Sequence, residues 1–321
     1  MLLTTADTHS LSVADADQLR VLARSIIPVA RGRLDAPPMI EACRQAAAEL
    51  PASFRRMLKT FQRDSGSRGS MVISGLPVDE DSLPCTPQTS TSVQLMGTVP
   101  ALLLMLAAVQ LGEPVAYLPE KGGALVQDVV PVKGKEEFQG NAGSVQLSFH
   151  NENAFHVHRP DFVMLLCLRA DHERVAGLRT SCIREVMPFL SEADVAALSA
   201  PEFVTAAPPS FGTADRAAPG PVLSGSPEDP DLCVDLSATE PLTARAAKAL
   251  EELGRLFDEL ANTAVLRPGD LAIVDNRVAV HGRTAFRPRY DGADRWLQRT
   301  FVLADFRRSR LERPGDGHVI V

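Results

Sequence analysis

From Ala116 onward the chain is written in short apolar, β-branched runs separated by turn residues, and this rhythm limits the fold more than any other feature. The runs are Ala124–Val130, Val145–Phe149, Phe162–Leu168, Leu271–Asp275, Val278–Val280 and Trp296–Leu303. Several short strands with turn signals between them predict a β-sandwich or barrel. Two helical stretches, Ser191–Leu198 and Thr243–Leu260, interrupt the series. Between those helices lies 206–230, rich in Pro, Gly, Ser and Ala, which reads as a lid-like or disordered insertion. The first third differs. Apolar residues recur at three- and four-residue spacing over Ala14–Ala30, Pro38–Leu58 and Leu95–Leu111, predicting helices, with one strand at Ser70–Leu76. No internal repeat is visible. One domain spanning 1–321 is expected, mostly helical over 1–115 and with a β core over 116–321.

The formal net charge of −7 argues against a nucleic-acid or anionic-membrane binder, which needs a basic surface. The longest apolar run, Val99–Val109, is too short to span a membrane and reads as a buried helix. The N-terminus lacks the basic and apolar segments of a signal peptide. The five cysteines are scattered, odd in number and without CxxC spacing, so reduced thiols in a cytoplasmic protein are expected. HExxH, GxSxG, P-loop and GxGxxG signatures are absent, which removes support for a serine hydrolase or a nucleotide enzyme.

Seven histidines can be weighed singly. His9 and His318 sit in terminal segments expected to be exposed, and His172 lies in a charged loop, 169–174, where a solvated ring is the default. His156 and His158 alternate in a loop-like stretch and are read as structural or supporting. His150 and Glu152 follow a strand-like run. If that strand continued, residues two apart would share a face and both side chains could reach one point. His281, after another β-patterned segment, supplies the third member of a two-His, one-carboxylate set that leaves positions open on an iron. Five arginines follow within seventeen positions: Arg283, Arg287, Arg289, Arg295 and Arg299. Period-two alternation puts Arg295, Leu297, Arg299 and Phe301 on one face. Guanidinium groups pointing into an apolar sandwich are costly unless they bind anions, and their planar fork suits carboxylates.

These residues carry a family resemblance, together with Leu118-Pro-Glu-Lys121, Glu137–Ser144, Phe149–His156, Arg159–Asp171, Ile273–Arg277, Val280-His-Gly-Arg283 and Asp294–Leu303. The sequence resembles the clavaminate synthase-like branch of iron(II)- and 2-oxoglutarate-dependent oxygenases over nearly its whole length, most strongly beyond residue 115, and within it the asparagine-hydroxylating members. The resemblance implies a double-stranded β-helix (jelly roll) with iron held by His150, Glu152 and His281. It implies that Arg295 binds the distal carboxylate of 2-oxoglutarate. Glu120, Asn141, Asn153, Asp235 and Arg299 would contact the amino-acid substrate.

The implied reaction consumes O2 and 2-oxoglutarate and hydroxylates a free L-amino acid, with L-asparagine at C3 the expected substrate. The product would feed a nonribosomal peptide synthetase in antibiotic biosynthesis. The same chemistry on arginine, lysine or glutamine is the alternative; arginine-hydroxylating relatives carry an acidic pair near Asp235, whereas here Leu-Ser-Ala follows it, favouring a neutral side chain over a cationic one. Two departures stand out. Leu178 occupies the place where the family often has a Thr for 2-oxoglutarate, with Thr180 two residues on, and Gly122 stands where Asn is expected beside Glu120. A zinc-binding or non-catalytic cupin-like protein would share the same three ligands.

Overall fold

The computed structural model describes residues 8–211 and 218–321; residues 1–7, and residues 212–217 of the expected lid-like insertion, lie outside them. The helices are α1 (Val13–Ile26), α2 (Pro37–Ala46), α3 (Ala52–Arg63), α4 (Val99–Leu111), α5 (Ile183–Val186), α6 (Glu192–Leu198) and α7 (Ala244–Glu259). The strands of the first half are β1 (Thr8–Ser10), β2 (Ser70–Ser74), β3 (Glu113–Tyr117), β4 (Gln127–Val129), β5 (Leu147–His150), β6 (Phe162–Arg169), β7 (Gly177–Cys182) and β8 (Phe203–Thr205). Those of the second half are β9 (Leu223–Ser226), β10 (Asp229–Leu232), β11 (Thr239–Pro241), β12 (Asn262–Val265), β13 (Leu271–Asp275), β14 (Ala279–Arg283), β15 (Trp296–Leu303) and β16 (Val319–Ile320).

Two sheets dominate. The larger runs β1-β2-β13-β6-β15-β3-β16, with β4 also paired to β15, and the smaller runs β12-β7-β14-β5. The fold is mainly β with helices around it, as expected. One face of the larger sheet (Met71, Ile73, Met164, Leu166, Ile273, Trp296) packs under α1–α4. The other (Val72, Leu165, Cys167, Ala272, Val274, Leu297) faces the smaller sheet and α6–α7. Covering on both faces explains why β6 and β13 read as continuous apolar runs rather than alternating ones. It also explains α4, which is apolar all round because it lies under the other three helices against the sheet.

The helical part differs from expectation at one break. Pro38–Leu58 is two helices, because Pro51 cannot continue α2 and instead precedes the first turn of α3. Within the loose segment, 223–232 forms a two-stranded antiparallel ribbon, β9–β10, in place of an irregular loop. All five cysteines are free thiols, four of them at least partly buried. No helix among the described residues is long and apolar enough to cross a membrane.

Candidate active site

His150 ends β5 and His281 sits at the centre of β14, and the two strands pair so that these residues are register partners. Their rings lie 4.3 Å apart between centroids. The backbones approach closely because residue 282 is glycine: a Cβ there would stand 2.5 Å from the Leu147 carbonyl oxygen. His150 Nδ1 bonds the Ser148 carbonyl at 2.9 Å, which leaves Nε2 for another partner. Glu152 arrives differently from the strand alternation expected of it. β5 stops at His150, and Glu152 lies in the turn that follows.

That turn is fixed by two asparagines with which the sequence reading assigned no role. Glu152 N–H donates to Asn276 Oδ1 (2.8 Å), and Asn276 Nδ2 donates to the carbonyls of Glu152 (3.0 Å) and Pro160 (2.9 Å). Asn151 Nδ2 donates to the Asn276 and Ala279 carbonyls, while its Oδ1 accepts from Val234 N–H. Both amides are fully enclosed. The pair ties the Glu152 turn to the start of β14, which carries His281, and to the segment that carries Asp235. The only sequence signal was an asparagine next to a strand-like run at each place. His150, Glu152 and His281 thereby converge, with one ligand atom from each within 4.8 Å of the others and His281 Nε2 3.6 Å from Glu152 Oε2. His281 Nδ1 is buried without a partner. Two imidazoles and a carboxylate, all largely buried and with the far side open to a cavity, fit a divalent iron that keeps positions free for other ligands.

The cavity is about 400 Å³ and is lined by Glu120, Asn141, Asn153, Asp235 and Arg299 beside His150 and Glu152. Arg299 organises its floor. Its Nη1 donates to Glu152 Oε2 (2.9 Å), and its Nη2 donates to Glu120 and to Gln127 Oε1 (2.6 Å). With its amide oxygen turned inward, Asn141 accepts from both terminal nitrogens at 3.0 and 3.1 Å. Burial opposes ionisation of Glu152, but Arg299, His281 and His150 outweigh it and hold the carboxyl well below its ordinary range. For Glu120 burial prevails over Arg299 and raises the carboxyl, and its Oε2 is buried without a partner. Asn153 adopts a left-handed backbone (φ 51°), a conformation asparagine tolerates better than most residues. Asp235 bridges His150 through the backbone, and its Oδ1 accepts from Ser237 N–H and Oγ–H.

Arg295 precedes β15 and is buried without a hydrogen bond or ion pair among the described residues. Arg283, also buried, makes one bond, to the Val145 carbonyl (3.0 Å). Both guanidiniums lie over the Phe286 ring. Burial and the neighbouring Arg295 pull Arg283 down to about 9, and Asp171 acts on Arg295 without forming an ion pair with it, which marks an under-neutralised, positively charged recess. At the two departures, Leu178 is buried and apolar, while Thr180 Oγ1 lies 3.1 Å from Ser70 Oγ. Gly122 has φ +65°, a position open to glycine and asparagine alike, and a Cβ there would touch nothing.

The remaining histidines lie outside the three-ligand group. His156 and His158 pack near Tyr117 and Glu312. His318 is not exposed, because it stacks on Phe306 and bonds the Pro114 carbonyl. His172 is not freely solvated either, being held between Asp291 (3.0 Å) and Asp294 (3.8 Å).

A buried two-His, one-carboxylate centre, a recess rich in arginine and a polar cavity between sheets define a non-haem iron oxygenase. Residues 224–301 match the taurine catabolism dioxygenase family, TauD and TfdA. Clavaminate synthase 2 of Streptomyces clavuligerus is 34% identical over 309 residues, covering 94% of each chain. The chain belongs to the clavaminate synthase-like family of 2-oxoglutarate-dependent dioxygenases, and its cofactors are iron(II) with 2-oxoglutarate and O2 as co-substrates. Within the family it is similar to the L-asparagine oxygenase of Streptomyces coelicolor, 59% identical over 312 residues, 97% of this chain and 94% of the relative. A crystal structure of asparagine oxygenase with Fe(II), 2S,3S-3-hydroxyasparagine and succinate superposes with a TM-score of 0.95 over 98% of both chains, also at 59% identity.

Proposed function

We propose that the protein hydroxylates free L-asparagine at C3, with His150, Glu152 and His281 holding iron(II) and Arg295 receiving the distal carboxylate of 2-oxoglutarate. The observation that carries this reading is the Arg299–Glu120 pair beside Glu152, in a chain 59% identical to L-asparagine oxygenase. A zwitterionic amino acid offers a carboxylate to Arg299 and an ammonium to Glu120, whose Oε2 has no partner. Asn141, Asn153 and Asp235 would then meet the rest of the substrate, and a carboxamide supplies both donors and an acceptor for them.

Bound together, iron(II) and 2-oxoglutarate supply the oxidation: one atom of O2 enters succinate, CO2 leaves, and the other atom becomes the substrate hydroxyl. The chain's own part is placement. Arg299 and Glu120 fix both ends of the backbone, so the β-carbon is presented to the three-ligand centre at one distance. Asn276 and Asn151 hold Glu152 in place. Arg295 and Arg283 neutralise a dicarboxylate that would be costly to bury alone.

We further propose that the two facing sheets form the double-stranded β-helix of one oxygenase domain over 1–321, with a mostly helical part to residue 115. The hydroxylated product is assigned to nonribosomal peptide antibiotic assembly, in a cytoplasm that keeps the five thiols reduced.

The test is anaerobic loading with iron(II), then exposure to oxygen with 2-oxoglutarate and a mixture of all protein amino acids, read by mass spectrometry. Gain of one oxygen atom on asparagine alone, lost in His150→Ala and His281→Ala, supports the assignment. Succinate formation without any change in asparagine refutes the substrate while keeping the chemistry.

A further inference from the structure

A second cavity of about 330 Å³ lies behind β15, on the side of the larger sheet opposite the iron cavity. It falls within the size range of small-molecule sites, roughly 300–1,000 Å³. Its floor is apolar: Trp296 from β15, Leu83 and Pro84 from the loop after β2, and Val99 and Pro100 from the start of α4. Its rim is charged. Arg20 and Arg24 lie one turn apart on α1, and Asp79 stands in the 77–84 loop.

None of these three charges has an ion pair or side-chain hydrogen bond among the described residues, although they border one cavity. Arg20 Nε is inaccessible to solvent and has no partner. The two terminal nitrogens of Arg20 are neither enclosed nor bonded, so they, rather than Nε, are what an anion in the cavity can reach. Gln94, also on the wall, accepts from Gln298 Nε2 (3.3 Å), and Gln298 Oε1 behind it is a second buried atom without a partner.

We infer that this cavity is a second ligand site, for a zwitterionic α-amino acid with an apolar side chain. The carboxylate meets Arg20 and Arg24, the ammonium meets Asp79, and the side chain covers Trp296 and Leu83. An amino acid lacking an apolar side chain leaves that floor uncovered. Occupancy is communicated forward through Trp296, whose Nε1 donates to Asp128 Oδ1 (2.8 Å) on β4. The next residue on that strand, Gln127, accepts from Arg299 in the iron cavity. The residues that form the site are separate from the metal-ligand candidates and from the substrate contacts proposed above.

Trp296 is the only tryptophan in the chain, so its emission reads this cavity directly. The full-length, metal-free protein is titrated with L-leucine while that emission is followed. A saturable change is expected, weakened at least about tenfold in Arg20→Ala/Arg24→Ala and also reduced in Asp79→Asn. It should persist in Glu120→Ala, whose lesion lies in the iron cavity. The arginine variant should melt as the wild type does, because neither side chain is bonded. No saturable change overturns the site, and so does a response that survives the arginine substitutions or vanishes in Glu120→Ala. Equal binding by 4-methylpentanoate, which lacks the ammonium, overturns the zwitterion assignment.

Discussion

Replacing Asn276 by alanine leaves every proposed iron ligand in the sequence yet removes what orients one of them. The side chain is fully buried and makes three hydrogen bonds of 2.8–3.0 Å. Its loss strands one buried donor, Glu152 N–H, and two buried acceptors, at about 1–3 kcal/mol each. Carbonyl oxygens tolerate the loss better and water can enter the vacated volume, so the lower part of that range applies, about 3–5 kcal/mol in all. Against a native stability of about 5–15 kcal/mol this is severe without being prohibitive. At roughly 2–4 °C per kcal/mol, Asn276→Ala should melt roughly 6–20 °C lower. The informative assay is calorimetry with and without Mn(II), a divalent stand-in that does not react with oxygen. The wild type should gain stability by mass action, and the variant should gain less at equal Mn(II), because its carboxylate is no longer held. Asn276→Asp is the sharper control: it keeps the acceptor for Glu152 N–H but sets an oxygen against the Glu152 and Pro160 carbonyls, so it should be at least as damaging. A variant that melts within about 2 °C of wild type and keeps the full Mn(II) shift refutes the clasp.

His150→Ala and His281→Ala should both abolish the Mn(II)-induced rise in melting temperature and the oxygen transfer, while circular dichroism stays native. Arg299→Lys loses the forked contact with two partners at once and should lower kcat/KM for the amino acid by about a hundredfold in steady-state assays. Arg295→Ala should instead raise KM for 2-oxoglutarate and leave amino-acid binding nearly unchanged, which a two-substrate kinetic matrix resolves. Burial, with help from Arg299, pulls the Lys121 ammonium down to about 8 from its ordinary 10.5. A base depressed by folding binds fewer protons folded than unfolded above pH 8, so stability should rise between pH about 8 and 10.5, with the full penalty present below that window. Lys121→Met should flatten that rise in denaturant unfolding curves.

The strands legible in the sequence were those buried on both faces. β15 was read with its observed bounds because Trp296 and Leu297 at one end and Phe301, Val302 and Leu303 at the other pack into cores and bracket the buried polar stretch Gln298-Arg299-Thr300. β7 was missed for the opposite reason. Its Arg179, Thr180 and Ser181 look like loop residues, yet Thr180 and Ser181 are buried between β12 and β14. The three metal-ligand candidates were found from residue type and spacing, although the reason first given for Glu152 was the wrong one: a turn, not strand alternation, delivers it. Local pattern also misplaced His172 and His318, whose partners are 119 and 204 residues away in sequence. The Asn151–Asn276 clasp was invisible for the same reason, since its bonds join positions 83 to 128 residues apart.

Charge accounting in the iron cavity narrows the substrate further than identity alone. One cation, Arg299, faces two carboxylates, Glu120 and Glu152, at the floor, and Asp235 adds a third on the wall. A divalent ion held by Glu152 would release Arg299 from it. An amino-acid zwitterion would add no net charge: on the proposed binding mode its carboxylate would replace Glu152 at Arg299, and its ammonium would meet the unpartnered oxygen of Glu120. Each charge at the floor would then keep a partner. A cationic side chain, as in arginine or lysine, would need another acid. The nearest, Asp235, accepts from Ser237 N–H and Oγ–H through Oδ1 alone, and no second carboxylate stands beside it. A single carboxylate leaves part of a guanidinium's or ammonium's donors unpaired, and desolvating the buried charge costs several kcal/mol. A neutral, hydrogen-bonding side chain carries no such penalty, and its polar atoms match Asn141, Asn153 and Asp235, which is why the balance of charges points to a carboxamide.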